Sequence, residues 1–473
     1  MTDTDQRTPA RVAQPAAEWS PSSWRDKPRA QRVGYADPAE LEQVVGQLRA
    51  LPPLVTPWEI ERLKQELADA QQGRRFLLQG GDCAETFDDC RTDIITNRLK
   101  ILLQMSVVLI QAGKRPVVRV GRFAGQYAKP RSNPVEAQSG VELTSYFGDL
   151  VNRPEFDAAA RRADPKLLLE AYWHSALTLN FVRSLGSGGF SDLHHPEYWD
   201  LSFIERDDMA DELKQNYRRT TAQLAEALRF MEALGEARVG DLTRVDFYAS
   251  HEGLSLDYEA AQTRRVDHHA GYYDLTTHLP WIGERTRDLD GAHVEFFRGV
   301  ENPVGVKLGP SADLDAVRRL VDRLNPSNQA GKLVLITRMG AEGVLEALPP
   351  LVSALHSDGA RVLWVSDPMH GNTRATSAGI KTRSFDDIRH EVERSFDVHE
   401  ALGSSLGGVH LELTGEDVTE CTGGGLSEAD LDQNYASRCD PRLNYRQALE
   451  MAFCIGERMS KSPQARQRVR SQA

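Results

Sequence analysis

Eight short β-rich segments, spread along most of the chain, constrain its fold more than any other feature of the sequence. Most of them are continuous apolar runs, which is typical of parallel strands that are buried on both faces. Helical patterns separate most of them, for example over residues 311–326, 340–359 and 384–403. This alternation predicts an α/β fold with a parallel sheet, and eight strands predict a TIM (β/α)8 barrel. The predicted strands are RFLLQG (75–80), RPVVRV (115–120), RVDFYAS (244–250), LPWIG (279–283), PVGVKL (303–308), KLVLIT (332–337), RVLWVS (361–366) and GVHLEL (408–413).

The connection between the second and third strands is far longer than one crossover needs. Helical patterns over residues 167–185 and 209–235 predict an inserted helical pair within about 150–240. This insertion could serve an interface, regulation or plain extra packing, and the sequence leaves these alternatives open. The predicted divisions are a disordered tail (1–18), an N-terminal extension with an interface arm and a helix (19–72), the catalytic barrel (73–462) and a C-terminal tail (463–473).

The composition excludes several functional classes. The net charge of −12 argues against a surface for nucleic acids, although a local basic pocket remains compatible with it. The N-terminus has no apolar core and no apolar run approaches the length of a membrane span, so neither a secretory signal nor a membrane protein is expected. Five sparse cysteines in 473 residues favour a reducing compartment, and we expect a cytoplasmic protein.

Polar residues follow the predicted strands, and in a TIM barrel all these positions meet at the rim that holds the active site. Many of them are cationic, and so many cations on one rim would repel each other unless anions arrive. The rim therefore predicts a site for multiply anionic ligands that carry phosphate or carboxylate groups. The cationic residues are Arg122, Lys129, Arg131, Arg285, Lys307 and Arg338.

A second set of rim residues has the chemistry of metal ligands. Cys83, His370, Glu412 and Asp440 offer one thiolate, one imidazole and two carboxylates, a mixed set suited to a first-row divalent ion. Their spacing along the chain gives no support, because they are far apart. Cys83 alone is better explained as a small buried apolar residue and His370 alone as a hydrogen-bonded structural residue, so the prediction depends on all four meeting at the rim.

The motifs around these residues resemble those of the class II 3-deoxy-D-arabino-heptulosonate 7-phosphate (DAHP) synthases of the plant and actinobacterial type. The resemblance covers residues 19–462. It implies that phosphoenolpyruvate condenses with erythrose 4-phosphate, with release of phosphate, as the first step of the shikimate pathway. The motifs that carry it are GGDCAETF, VGRFAGQYAKPRS, WIGERTR, NPVGVKLGP, LITRMG, SDPMHGNT, GVHLELTGEDVTEC and CDPRLN.

The resemblance also implies a role for each matching residue. The metal ligands would be Cys83, His370, Glu412 and Asp440. The positions that match phosphoenolpyruvate binding are Arg122, Glu284, Arg285, Lys307 and Arg338. The positions that match erythrose 4-phosphate binding are Lys129, Arg131, Ser132 and Glu252. Arg285, Lys307 and Glu284 are the candidates for a catalytic role, and Glu284 or Lys307 could orient or deprotonate the attacking water.

The family resemblance implies one divalent metal ion, with Mn²⁺ or Co²⁺ preferred and Fe²⁺ or Zn²⁺ left open. It also implies a homodimer or homotetramer, aromatic amino acids as feedback inhibitors and chorismate mutase as a partner, with no nucleic acid and no membrane. Cys439 directly precedes Asp440. If Asp440 and Cys83 share a metal, Cys439 could form a disulfide with Cys83 when the metal is lost.

Four other hypotheses fit parts of the sequence. Lys307 could be the amine nucleophile of a Schiff-base aldolase. A related sugar-phosphate or sialic-acid synthase would use another aldehyde. The same reaction could supply an aromatic secondary metabolite. An inactive barrel could serve as a regulatory subunit, although the complete set of four candidate ligands argues against it.

Overall fold

The structure, a computed structural model, describes residues 18–138, 140–187 and 246–461, together with scattered positions between 211 and 226. Apart from residue 18, the predicted tails lie outside the described residues. The same holds for most of the predicted helix at 209–235. The predictions for these segments therefore stay predictions.

The eight predicted strands form one parallel sheet that closes into a barrel, so the predicted fold class is confirmed. We number the barrel strands β1–β8 in chain order, and they lie in the order β3-β2-β1-β8-β7-β6-β5-β4. A parallel bridge between Glu252 and Trp281 joins the β3 side to β4 and completes the circle. The strands are β1 Phe76–Gly81, β2 Val117–Arg122, β3 Tyr248–Ala249, β4 Trp281–Ile282, β5 Val304–Leu308, β6 Leu333–Thr337, β7 Leu363–Ser366 and β8 Leu406–Glu412.

Helices surround the barrel, and those predicted from sequence at 311–326, 340–359 and 384–403 are confirmed with slightly narrower bounds. No helix among the described residues has the length and apolar character needed to cross a membrane. The longer helices are α1 Pro38–Ala50, α2 Pro57–Gln71, α3 Thr92–Gly113, α4 Lys166–Ser187, α5 Leu256–Gln262, α6 Ala292–Phe297, α7 Leu314–Leu324, α8 Val344–Ser357, α9 Phe385–Ala401 and α10 Tyr445–Lys461.

The long connection after β2 contains two elements within the described residues. The first is a β-hairpin that the sequence did not predict, with strands Val135–Gln138 and Val141–Thr144. The second is α4, which confirms the predicted helix at 167–185. The Tyr172 hydroxyl on α4 donates a hydrogen bond to the carbonyl of Pro52. This half of the predicted insertion therefore packs on the N-terminal extension.

The N-terminal extension packs on the barrel of its own chain. The indole N–H of Trp19 donates to the carbonyl of Glu295 at 3.0 Å, and Trp24 is buried. Helix α2 begins with a capping box, in which the Thr56 side chain accepts from the Glu59 N–H and the Glu59 carboxylate accepts from the Thr56 N–H. The predicted use of this arm as an interface between subunits stays a prediction.

Helix α2 also contributes to the core inside the barrel. Its residues Leu63, Leu67 and Ala70 belong to one buried apolar cluster with strand residues such as Leu77 and Ile336. Since strand side chains that point inward fill the interior of such a barrel, α2 extends that core beyond the strands. The N-terminal extension is therefore part of the barrel's packing.

Replacement of Leu67 by alanine is expected to destabilise the folded protein by about 2–5 kcal/mol, because the fully buried side chain would leave a cavity in this core. The measurement is the free energy of unfolding in urea. The matched control is Leu345→Ala, since Leu345 is 53% exposed and its loss should change stability by less than about 0.5 kcal/mol. Equal effects of the two substitutions would contradict this role of α2.

Candidate active site and metal centre

A cavity of about 830 Å³ opens at the C-terminal ends of the barrel strands, where the sequence predicted the active site. Among the predicted site residues, only Glu412 does not line it, because this side chain is completely buried beneath the cavity. The predicted residues that line the cavity are Cys83, Arg122, Lys129, Arg131, Ser132, Glu252, Glu284, Arg285, Lys307, Arg338, His370 and Asp440.

Three of the four candidate metal ligands cluster at one side of this cavity, and the fourth lies beside one of them. The Cys83 sulfur and one carboxylate oxygen each from Glu412 and Asp440 lie within 4.8 Å of one another. The fourth candidate, His370, is not part of this cluster, but its Nε2 atom lies 3.1 Å from Glu412 Oε1. One sulfur, one nitrogen and two carboxylates in such close proximity fit a first-row divalent ion.

Glu412 is the most deeply buried of these ligands, and three cationic or polar side chains surround it. Arg122 Nη2 lies 2.9 Å from one carboxylate oxygen, and Arg383 Nη1 lies 2.6 Å from the other. Burial alone would raise the pKa of Glu412, but His370, Arg383 and Arg122 outweigh it and hold the pKa well below its usual range. The carboxylate is therefore kept ionised, as a metal ligand must be.

Lys129 lies against the candidate ligands. Its Nζ atom is 2.6 Å from both the Cys83 sulfur and Asp440 Oδ2. Burial opposes the charge of Asp440, but Lys129, Arg383 and His370 together outweigh it and lower the pKa of this carboxyl. Lys381, which the sequence analysis did not select, lies 3.2 Å from the other Asp440 oxygen.

Two guanidinium groups at the cavity face no carboxylate within ion-pair distance among the described residues. Arg285 donates to the Ser132 hydroxyl at 2.5 Å, and Arg338 donates to the carbonyl of His370 at 2.8 Å. The Nε atom of Arg338 is buried without a hydrogen-bond partner in the described part of the chain. Both groups are thus available to an anionic ligand.

Lys307 and His370 share a buried carboxylate, Asp367, which the sequence analysis did not assign. The Lys307 ammonium donates to Asp367, whose Oδ2 atom is also 2.8 Å from Nδ1 of His370. Burial, assisted by Arg122, lowers the pKa of Lys307 to about 8, although Asp367 opposes this shift. Asp367 therefore connects the candidate metal ligand to a candidate substrate-binding lysine, an arrangement that fixes the imidazole orientation in many metal sites.

Comparisons with known proteins are consistent with this geometry. A model of the class-II DAHP synthetase family matches residues 19–456. The chain belongs to this family.

Three relatives are similar over nearly their whole length. The phospho-2-dehydro-3-deoxyheptonate aldolase of Neurospora crassa is 46% identical over 460 residues, which are 93% of this chain and 94% of the relative. The protein of the same name from Streptomyces coelicolor is 47% identical over 447 residues, or 93% and 98% of the two chains. Phospho-2-dehydro-3-deoxyheptonate aldolase AroG of Mycolicibacterium smegmatis is 45% identical over 438 residues, which are 91% of this chain and 92% of the relative.

In this member of the family, the residues predicted to bind the aldehyde substrate are distributed around the cavity. Arg131 pairs with Glu136 of the hairpin at 2.5 Å. Glu252 lies beside β4, and burial raises its pKa while Lys129 opposes the shift. Lys129 contacts the candidate metal ligands more closely than any other predicted substrate residue.

Sequence reasoning missed several residues of the site. Asp367 directly follows β7, so the same strand-end position that selected Lys307 and Arg338 could also have selected Asp367. Arg383 and Lys381 belong to a short strand, Lys381–Arg383, of a second hairpin after β7. Because they reach Glu412 and Asp440 only through the tertiary fold, no local signal marks them.

Interaction with Cys83 lowers the pKa of the Cys439 thiol, while burial and the same interaction raise the pKa of Cys83. We expect metal-stripped, oxidised protein to contain a Cys83–Cys439 disulfide. Peptide mapping without reductant is the measurement, and Cys454, on α10, provides the control thiol. If Cys83 and Cys439 both remain free thiols under these conditions, the predicted disulfide is contradicted.

Proposed function

We propose that this chain is a 3-deoxy-7-phosphoheptulonate synthase, which condenses phosphoenolpyruvate with erythrose 4-phosphate and water to give DAHP and phosphate. The observation that carries the proposal is one cavity that combines a sulfur, nitrogen and carboxylate ligand set with guanidinium groups that face no acidic partner in the described residues. The relatives at 45–47% identity, which are named phospho-2-dehydro-3-deoxyheptonate aldolases, support the same reaction.

We assign the metal-holding role to Cys83, His370, Glu412 and Asp440. A divalent ion, Mn²⁺ or Co²⁺ in our proposal, would supply a Lewis acid for the aldehyde oxygen when bound. The Cys83 pKa is raised well above its usual range by burial first and by Cys439 and Glu412 second. Because metal binding requires the thiolate, it should release a proton from this residue.

Phosphoenolpyruvate carries a phosphate and a carboxylate, which suit the unpaired guanidinium groups of Arg285 and Arg338. Lys307 and Arg122 add positive charge at the floor of the cavity. We assign these four residues to phosphoenolpyruvate. Glu284 accepts from the Gly309 N–H at 2.7 Å and from Arg287, which holds its carboxylate at the same rim.

Erythrose 4-phosphate would occupy the side of the cavity formed by the segment from Lys129 to Ser132. Arg131 and Ser132 are the phosphate-binding candidates, and Glu252 faces the same space as a candidate for the sugar hydroxyls. Held together, the two substrates place the nucleophilic methylene carbon next to the aldehyde. This alignment supplies much of the rate enhancement.

The chemical step requires a proton acceptor for the water that adds to the enol-ether carbon. Lys307 is suited to this because its pKa of about 8 leaves a neutral fraction near physiological pH. Glu284 is the alternative, since its carboxylate lines the same cavity and accepts from the Gly309 N–H, two residues after Lys307. Inorganic phosphate then leaves toward Arg285 and Arg338.

The biological setting follows from the same proposal. We place the enzyme in the cytoplasm, in aromatic amino acid biosynthesis, as a homodimer or homotetramer. Aromatic amino acids are the proposed feedback inhibitors and chorismate mutase the proposed partner. A phosphate-release assay with each aromatic amino acid, together with light scattering, tests these assignments.

Chelation and replacement of His370 test the metal requirement. Phosphate release from the two substrates should stop after thorough chelation and return with Mn²⁺ or Co²⁺. His370→Ala should lower turnover at least 100-fold and reduce bound metal, because one of four ligands is lost, while circular dichroism stays unchanged. Full activity in chelated, metal-free protein would contradict the proposal.

Lys307→Met tests the residues assigned to phosphoenolpyruvate. The substitution keeps the chain length but removes the ammonium, so we expect the KM for phosphoenolpyruvate to rise about tenfold or more while the KM for the aldehyde changes little. Lys381→Met is the matched control, since it removes a cation from the same rim that contacts only Asp440 among the described residues. Borohydride trapping of substrate on Lys307 would instead indicate a Schiff-base aldolase.

A further inference from the structure

A buried carboxylate outside the cavity connects the two loops that carry Arg338 and His370. Glu391, on α9, is 1% exposed and does not line the cavity. Its Oε1 atom accepts a hydrogen bond of 2.7 Å from the Met339 N–H, one residue after Arg338. Its Oε2 atom accepts one of 2.8 Å from the side-chain amide of Asn372, two residues after His370.

Asn372 extends this connection back to the first loop. Its Oδ1 atom accepts from the Ala341 N–H at 2.9 Å, and its Nδ2 atom also donates to the carbonyl of Pro368. The loop after β6 is therefore bonded twice to the loop after β7, once through Glu391 and once through Asn372. We call these two residues the Glu391–Asn372 clamp.

The two loops also touch backbone to backbone. A Cβ atom added to Gly371 would lie 2.4 Å from the nitrogen and 2.7 Å from the Cα atom of Gly340, which itself has a left-handed φ of +81°. Arg338 spans the same contact, because its guanidinium donates to the carbonyl of His370. A shift of either loop would therefore move both Arg338 and His370.

The chemistry of the clamp requires a carboxylate. Both partners of Glu391, the Met339 N–H and the Asn372 amide, are donors, so both oxygens must accept. A glutamine has one acceptor and one donor at its tip, and either orientation would set an N–H group against another N–H group. A buried donor left unpaired is costly, and one of the two loops would have to shift.

We propose that Glu391 is a positioning residue of the site: through Asn372 and the Met339 amide it sets Arg338 and His370 relative to each other. It thereby couples the phosphate-binding guanidinium to the metal ligand. This proposal rests on the proposed function for the roles of Arg338 and His370. The hydrogen bonds of the clamp do not depend on that function, so binding experiments without turnover can test it separately.

The test is an exchange of donor and acceptor between the two clamp residues. Glu391→Gln removes the acceptor for the Asn372 amide. Glu391→Gln combined with Asn372→Asp restores a donor–acceptor pair between these two positions, because the new carboxylate at 372 accepts from the new amide at 391. In the double variant an acceptor oxygen replaces the Asn372 N–H that donates to the Pro368 carbonyl, so two acceptors face each other there and recovery should be partial. Burial, assisted by Asp367, raises the pKa of Glu391 to about 8, although the Met339 N–H and the Asn372 amide oppose the shift. The clamp is therefore complete only where Glu391 is ionised, and measurements are made at about pH 9.

We expect Glu391→Gln to weaken binding of Mn²⁺ and of phosphoenolpyruvate by about tenfold each, measured by calorimetry in the absence of the aldehyde. The double variant should recover more than roughly half of each loss on a logarithmic scale. In turnover, the KM for phosphoenolpyruvate should rise while that for erythrose 4-phosphate stays within about twofold. A purely structural role would change all constants in parallel with thermal stability.

Glu400→Gln is the matched control, since Glu400 is an exposed carboxylate on the same helix, and it should leave both affinities unchanged. If Glu391→Gln fails to fold, Asn372→Ala breaks the clamp from the loop side and should give the same two losses. Unchanged affinities in a folded clamp variant, or equal losses in the single and double variants, would overturn the proposal. Wild-type protein that binds both ligands but forms no DAHP would instead refute the proposed function alone.

Discussion

The site depends on one buried carboxylate, Glu412, at the end of the last barrel strand. An ionised group without solvent is stable only if cations and hydrogen-bond donors surround it, and Arg122, Arg383 and His370 fulfil this condition. Arg122 comes from β2, whereas Arg383 and His370 follow β7. The carboxylate thus ties separate parts of the rim together, and removal of any one of these partners would leave its charge only partly compensated.

Barrel closure makes this arrangement possible. Parallel strands present their carboxyl ends at one rim, so residues hundreds of positions apart, such as Cys83 and Asp440, bring potential ligand atoms within 4.8 Å of each other. Asp367 then links the candidate ligand His370 to Lys307 through hydrogen bonds to both. One layer deeper, Glu391 joins the loops behind Arg338 and His370. Asp367 and Glu391 thus hold in place the residues that face the cavity. Without such support, these side chains would move with their loops.

Much of this could be predicted from the sequence because its strongest signals are local. The apolar runs marked all eight strands, and even the weak LPWIG segment contains a two-residue strand, Trp281–Ile282. The position of the candidate residues at strand ends then predicted that they meet at one rim, and in the structure all but Glu412 line one cavity. Arg383 and Glu391 were not predictable in this way, because their partners are set by tertiary packing and an isolated Arg or Glu resembles any surface charge. The hairpin from Val135 to Thr144 was missed because its alternation is short and both strands are largely exposed.

Charge balance explains why the candidate metal ligands and the candidate anion-binding residues lie next to each other. In the described residues, the buried acids Asp367 and Glu412 are already matched by Lys307, Arg122 and Arg383, so the deepest layer is close to neutral. Arg285 and Arg338, which face no acid, lie nearer the opening. A divalent cation bound beside a substrate that carries both carboxylate and phosphate would add charges of opposite sign together. Each ligand should therefore bind more tightly when the other is present, and by reciprocity the coupling must act equally in both directions.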